Sequence, residues 1–304
     1  MAAESERRER PSASLPRMRT LLPALAVAAA ALPSFAQQQD FSKVEIKATR
    51  VSGNVFMLEG AGGNIAAIVG DDGIAMVDSQ YAPLAAKIHA ALAKLSPRPV
   101  RFLINTHFHP DHTGGNADFA DTAVLLASAN VRKRLASGAT HPITGKPIAP
   151  SPSAALPVVT FDEGLALHFD GEEIRTLGLR PGHTDGDSAV WFVKANVVHL
   201  GDDFVTYGFP LVDVAAGGSV KGMIAALDEV VSRIPADAKI IPGHGPLSTV
   251  ADVKKFARSL EEMLAAVAKA KKPVGVEVLA PWAPWGAGFI KAEQFLPVLV
   301  REVR

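Results

Sequence analysis

One short segment limits what this chain can become more than any other: Asn105-Thr106-His107-Phe108-His109-Pro110-Asp111-His112-Thr113-Gly114-Gly115. It places three imidazoles and a carboxylate within six residues, directly behind the apolar run at 100–105. That run reads as a buried strand, so His107 and His109, two apart in extended chain, project to one side. Pro110 then enforces a turn that brings Asp111 and His112 back toward the same point. Gathering these polar groups away from water is unfavourable unless a cation holds them. The chain has no cysteine, so thiolate-bound zinc, disulfides and a thiol nucleophile are excluded. His, Asp, Glu and oxygen groups must do the chemistry. Imidazole with carboxylate suits zinc, and iron or manganese less well.

Four donors so close in sequence cannot all wrap one tetrahedral ion, and distant glycine turns offer more. These are Gly182-His183-Thr184, Gly201-Asp202-Asp203 and Gly243-His244-Gly245. A glycine beside each donor lets the backbone approach closely. His89, His141, His168 and His199 stand on a helix face, in a proline-rich loop, in an alternating strand and inside a strand. They read as ordinary packing or surface residues. Met57, Met76, Met223 and Met263 read as core fillers.

In order and approximate spacing, His107-x-His109-x-Asp111-His112, then Gly182-His183, Gly201-Asp202 and Gly243-His244, resembles the metallo-β-lactamase-fold hydrolases over about residues 50–250. The resemblance implies an α/β fold, a four-layer αβ/βα sandwich of two mixed sheets between outer helices, with a binuclear metal site at one edge. It implies two Zn2+ per chain: one on His107, His109 and His183, the other on Asp111, His112 and His244, with Asp202 bridging both. Asp202 is chosen over Asp203 because the family's acid directly follows the glycine. Asp78, ending the apolar run 74–77, matches an acid that supports the metal loop, and Thr184 beside His183 reads as a further support. Two such ions would share a hydroxide available at neutral pH and polarise a carbonyl. Asp111 would orient that hydroxide and relay its proton, so Asp111 and Asp202 are the expected catalytic acids.

The bridging aspartate resembles glyoxalase II, homoserine-lactone lactonases and related esterases, whereas metallo-β-lactamases proper typically carry cysteine or serine there. The expected reaction is cleavage of a cyclic amide or ester, a β-lactam or a lactone. The alternatives are a thioesterase or arylesterase of the glyoxalase II-like branch, and a mono-iron sulfur dioxygenase. The stretch after His244 is shorter than the helical glutathione-binding domain that glyoxalase II carries at that point. Tyr207, Phe209, Pro210, Trp282, Trp285 and Phe289 are candidates for an aromatic pocket wall that suits a ring-containing or acyl substrate. Packing of a last helix at 289–303 is the competing explanation for them. Arg180 is either a contact for a substrate carboxylate or a surface charge.

Partners follow from charge. Lys+Arg and Asp+Glu both number 31 in 304 residues, so a small-molecule substrate is expected and a nucleic acid is not. At the start, Arg7, Arg8, Arg10, Arg17 and Arg19 precede an apolar run at 21–32, and Ser34-Phe35-Ala36 offers a small-x-small site. That is the pattern of a signal peptide over 1–36 cleaved after Ala36, with 1–17 an over-long gene start ahead of Met18. A run of about 12 apolar residues is too short to span a bilayer. The mature chain, 37–304, is expected to be one periplasmic or secreted hydrolase domain without stable membrane insertion; its oligomeric state is left open.

Apolar runs at 54–58, 64–69, 74–77, 100–105 and 123–127 predict strands, with a helix opening at Pro83. Strands return at 158–160, 165–169, 173–177, 188–193, 196–200 and 239–241, with helices at 218–234 and 250–272. Residues 139–157, rich in proline, read as a surface loop, either a lid over a pocket or a plain connection.

Overall fold

Short polar turns at Gly53-Asn54 and Asp71-Asp72 fold the first strands against one another. In this computed structural model, which describes residues 40–304, β1 (Lys47–Ser52), β2 (Val55–Glu59), β3 (Ile65–Gly70) and β4 (Gly73–Val77) pair antiparallel. The expected signal segment, 1–36, lies outside the described residues. Helix α1 (Ala85–Ala93) crosses to β5 (Val100–Ile104), which lies parallel to β4. Two single-turn helices follow, α2 (Pro110–Thr113) and α3 (Asn116–Phe119), then β6 (Val124–Ser128) and α4 (Ala129–Ser137). A small hairpin of β7 (Ala139–Thr140) and β8 (Pro147–Ile148) leads to β9 (Val159–Phe161), which closes the sheet in the order β1-β2-β3-β4-β5-β6-β9.

The second half repeats the plan. Strands β10 (Gly164–Phe169), β11 (Glu172–Gly178), β12 (Ser188–Phe192) and β13 (Val197–His199) are antiparallel neighbours. Helix α5 (Val220–Arg233) returns the chain to β14 (Lys239–Ile241), parallel to β13, and β15 (Ser248–Thr249) ends the sheet. Helices α6 (Val250–Lys269) and α7 (Ala292–Glu302) pack outside it.

Burial explains the layering. Met57, Ile68, Val77 and Ile104 of the first sheet meet Ile174, Val190, Phe192 and Ile241 of the second in a shared inner core. The outer face of the first sheet is covered by Leu84, Ile88, Leu92 and Phe119, and that of the second by Met223, Leu227, Leu260, Met263 and Leu299. Strands covered on both faces read as near-continuous apolar runs, as the fully buried β12 does after Ser188. The result is the expected helix–sheet–sheet–helix sandwich, and residues Asp40–Arg304 form one compact unit. The four methionines named above are all buried. No helix among the described residues is long and apolar enough to cross a membrane.

Four local differences from the sequence reading have plain causes. Strand β1 is an outer strand with polar, mostly exposed residues, so it lacks an apolar run. Helix α4 is short and basic. Residues 139–157 are not featureless: they hold the β7–β8 hairpin and a 3-10 turn at Ser153–Ala155. The last helix starts at Ala292, because Val276–Ala287 form 3-10 turns in which Pro281 and Pro284 lack the N–H a continuous α-helix needs.

Candidate metal centre

The His-rich segment leaves the end of β5 and enters α2. His109 caps that helix with extended backbone and Pro110 is its first residue, a position proline favours. One helical turn swings Asp111 and His112 back over His107. A buried asparagine pair locks the segment: Asn105 and Asn116 exchange side-chain hydrogen bonds of 3.1 and 2.8 Å, and Ser79 Oγ donates to Asn116 at 2.8 Å. Asp78, fully buried just after β4, takes three donors: Thr106 N–H at 2.8 Å, Thr106 Oγ1 at 2.7 Å and His112 Nδ1 at 2.8 Å. The remaining donors arrive on turns from the second half. Gly201 holds φ +52°, and a Cβ there would meet the Thr106 side chain at 2.9 Å; a Cβ on Gly243 would run into Asp202 Oδ1.

The outer nitrogens of His107, His109 and His183 already have partners. His109 Nε2 lies 3.1 Å from Asp213 Oδ2 and His183 Nδ1 lies 2.7 Å from the Leu211 carbonyl. Carboxylates and carbonyls only accept, so these nitrogens donate, and in a neutral ring the other nitrogen is a bare lone pair. Thr106 Oγ1 has given its proton to Asp78, so at 3.1 Å it accepts from His107 Nδ1. His107 Nε2 is therefore a buried lone pair, and it has no hydrogen-bond partner. His109 Nδ1 and His183 Nε2 face each other at 2.8 Å, a repulsive contact unless both point at one cation. Ligand atoms of His107, His109 and His183 lie within 4.8 Å of one another, as do those of Asp111, His112 and His244.

Asp202 stands where these two trios meet. Its Oδ1 is 3.2 Å from His112 Nε2, and its Oδ2 is 3.4 Å from His244 Nε2 and 3.8 Å from His183 Nε2. Asp111 Oδ2 is 3.2 Å from His244 Nε2. Asp202 Oδ1 is buried and without a hydrogen bond. A trio of imidazoles beside a trio that includes a carboxylate, with Asp202 between them and the orphaned His107 Nε2 and Asp202 Oδ1 buried, fits divalent cations. Burial pushes His183 down to about 4 and His107 well below the usual histidine value, so both are neutral, as ligands must be. In the second trio burial acts the same way, but Asp202 and Asp111 outweigh it and hold His244 up at about 9 and His112 well above its usual value.

Asp203 faces away from the cluster. It accepts from the His183 N–H at 3.2 Å and shares a hydrogen bond with Asp187. Burial raises both acids, Asp187 to about 7. Thr184 is buried beside His183, and its N–H and Oγ1 donate to Asp187 at 2.7 and 2.5 Å. Neither Asp187 nor Asp213 was singled out from sequence. Asp213 carried a usable signal: it is the one charge in the otherwise apolar stretch 209–216, and a buried acid needs a partner.

The aromatic candidates divide. The Tyr207 ring is 5.7 Å from that of His244, and Phe289, 65% exposed, is 6.4 Å from Tyr207. Trp285 stacks on Phe256 at 5.5 Å and shares with Tyr207 a groove of about 480 Å3. Phe209, by contrast, is fully buried against Phe295 at 5.2 Å, so it is a core residue and not a pocket wall. Pro210 is buried too, and Trp282 packs against the outer core of the second sheet. Arg180 is an exposed charge 3.8 Å from Glu229.

The other four histidines have ordinary roles or exposure. His199 bridges Asn64 O and Gly201 N–H, His89 stacks on Phe119, His141 accepts from its own turn and His168 is exposed. The β7–β8 hairpin walls a cavity of about 440 Å3 that reaches Phe108 and Asp213.

Comparison with known proteins agrees with this geometry. The family model of the metallo-beta-lactamase superfamily matches residues 58–248, and the chain belongs to that superfamily. A metallo-beta-lactamase from Pontibacter korlensis superposes with a TM-score of 0.59 over 71% of this chain and 99% of that one, at 17% identity, a likeness of fold. Among curated proteins, the alpha subunit of a 2,4-dinitroanisole O-demethylase from Nocardioides sp. (strain JS1661) is 32% identical over 145 residues, 46% of this chain and 40% of that protein. A hydroxyacylglutathione hydrolase from Methylococcus capsulatus is 28% identical over 142 residues, 47% of each chain. The chain spans about half the length of these curated relatives or less. Superfamily membership and the buried His/Asp cluster together point to a divalent-metal site.

Proposed function

We propose that the mature chain is an exported, zinc-dependent hydrolase that opens a cyclic amide or ester, a β-lactam or a lactone, at the Asp202 junction. The observation that carries this reading is the meeting of two three-residue donor groups on one carboxylate. His107, His109 and His183 would hold one ion, Asp111, His112 and His244 the other, with Asp202 touching both. Bound there, the ions would supply a water ionised at neutral pH and a Lewis acid for the carbonyl.

The protein's own residues do the rest. Asp111 and His244 are the more open members of the cluster, with side chains 21% and 23% exposed, so substrate meets the second trio. Asp111 is held strongly acidic, at about 2, because His112 and His244 outweigh its burial. The carboxylate oxygen that would not hold the ion is available to accept a proton from the attacking water and pass it to the leaving group. Tyr207 keeps its phenolic proton, since burial and Asp202 both push its pKa up. It presents its ring beside that of His244. The rim formed by Tyr207 and Phe289 supports an uncharged ring or acyl group on the substrate.

A second reading, thioester or aryl-ester hydrolysis, is favoured by the likeness to hydroxyacylglutathione hydrolases. One experiment separates the two: zinc-loaded mature protein is offered a chromogenic cephalosporin, a carbapenem, acyl-homoserine lactones, nitrophenyl esters and a glutathione thioester. Chelator-sensitive turnover of a β-lactam or lactone at least tenfold above the others is expected. Preference for the thioester gives the second reading. Iron as the sole bound metal, with thiol-dependent oxygen uptake, overturns both.

A further inference from the structure

We propose that Asp213 is a positioning residue for the metal centre: its carboxylate fixes the tautomer of His109, so that Nδ1 is the lone pair offered to a cation. The inference rests on the metal-centre reading and not on the choice of substrate. His109 is the one member of the first trio whose outer nitrogen meets a full negative charge. His109 Nε2 is 3.1 Å from Asp213 Oδ2 and both side chains are buried. His183 has a carbonyl in that place, and His107 a hydroxyl.

The segment carrying Asp213 is itself fastened to the centre. Asp213 N–H donates to His183 O at 2.9 Å, Ser219 N–H donates to Gly182 O at 2.8 Å, and the Leu211 carbonyl takes His183 Nδ1 at 2.7 Å. One loop, 211–219, thus orients two of the three imidazoles of the first trio.

The carboxylate has two donors to satisfy and two oxygens to do it. Oδ2 takes His109, and Oδ1 takes the Ala216 N–H at 2.9 Å. Asparagine offers only one acceptor oxygen. With that oxygen on Ala216, the amide NH2 confronts His109 Nε2, which must then become the acceptor. Its proton moves to Nδ1, the nitrogen that should be bare. Asp213→Asn is therefore an isosteric change that installs the wrong tautomer. A purely structural role, capping the turn at Val214–Ala216, predicts the reverse order of damage. Asn caps nearly as well as Asp and Ala does not.

The test measures stepwise zinc binding by chelator competition, and the protonation of His109 by nitrogen-15 NMR of the metal-free protein. In wild type the proton should lie on Nε2 of His109. In Asp213→Asn it should move to Nδ1, with one of the two zinc affinities weakened by about 10–100-fold and the other unchanged within about twofold. Asp213→Ala should weaken the same step no more than Asn does, and Asp213→Glu should restore part of it. The proposal is overturned if wild-type His109 carries its proton on Nδ1, a result that needs no variant to fold. It is also overturned if Asp213→Asn binds zinc as wild type does while Asp213→Ala alone is impaired. If wild type binds no metal at all, the metal-centre reading itself has failed.

Discussion

The two donor trios are built on different physical terms. His107, His109 and His183 are almost wholly buried, and each is oriented by an outer partner. Asp111, His112 and His244 contain a carboxylate, border Asp202, and include the two side chains most open to solvent. The first resembles a preformed socket. In the second, negative charge holds protons on the histidines until a cation displaces them. The difference teaches that one shared aspartate can join a site built for binding to a site built for exchange with substrate.

The largest break in that comparison should come from Asp111→Asn. It removes the proton acceptor from the open trio and leaves the buried one intact. A fall in kcat/KM of about 10²–10⁴-fold is expected, with at least one tightly bound metal per chain retained on metal analysis. Loss of all metal would mean that the trios do not act separately.

Next in size, Asp78→Asn leaves one acceptor oxygen for three donors, one of them His112 Nδ1. Weakening of one zinc step by about 10–100-fold is expected. In the double variant with Asp213→Asn, both steps should weaken, since Asp78 holds His112 of the second trio directly and Asp213 holds His109 of the first. Competition with a metal-sensitive dye measures this.

These expectations also show where sequence reading stops. Donors in a local motif, such as His107 to His112, were legible because spacing and chain direction act over a few residues. Asp202, His183 and His244 were assigned by resemblance, and the fold shows them meeting. Asp213 and the Leu211 carbonyl were not visible as partners, because their contacts to His109 and His183 span 104 and 28 residues. The same limit explains Phe209. An aromatic just beyond Asp202 reads as a pocket wall until the fold shows α7 packed on it. Strands with covered faces were legible from apolar runs, while β1 and α4, with polar or basic sequences, had little pattern to read.

The trios should also respond to pH in opposite directions in the metal-free protein. His183 has its pKa lowered to about 4, so its contribution to stability is present above about 6.5 and lost as pH falls toward 4. His244, raised to about 9, contributes below about 6.5 and loses that contribution as pH rises through 9. Tm measured from pH 4 to 10 should therefore fall at both ends. His244→Gln should flatten the alkaline limb alone, and an unchanged alkaline limb would remove the charge assigned to the open trio.

The smallest effect concerns the rim. Tyr207→Phe keeps the ring beside His244 and removes only the phenolic O–H, so a change of less than about tenfold in kcat/KM is expected, with Tm unaltered. A larger loss in kcat alone would give Tyr207 a part in the reaction.

The central claim is that two cation positions share Asp202. Anomalous diffraction at the zinc edge from crystals of the zinc-loaded mature protein tests it most directly. Two peaks are predicted, one within each trio, with an Asp202 oxygen directed at each. A single peak, or Asp202 turned from either position, would contradict the account.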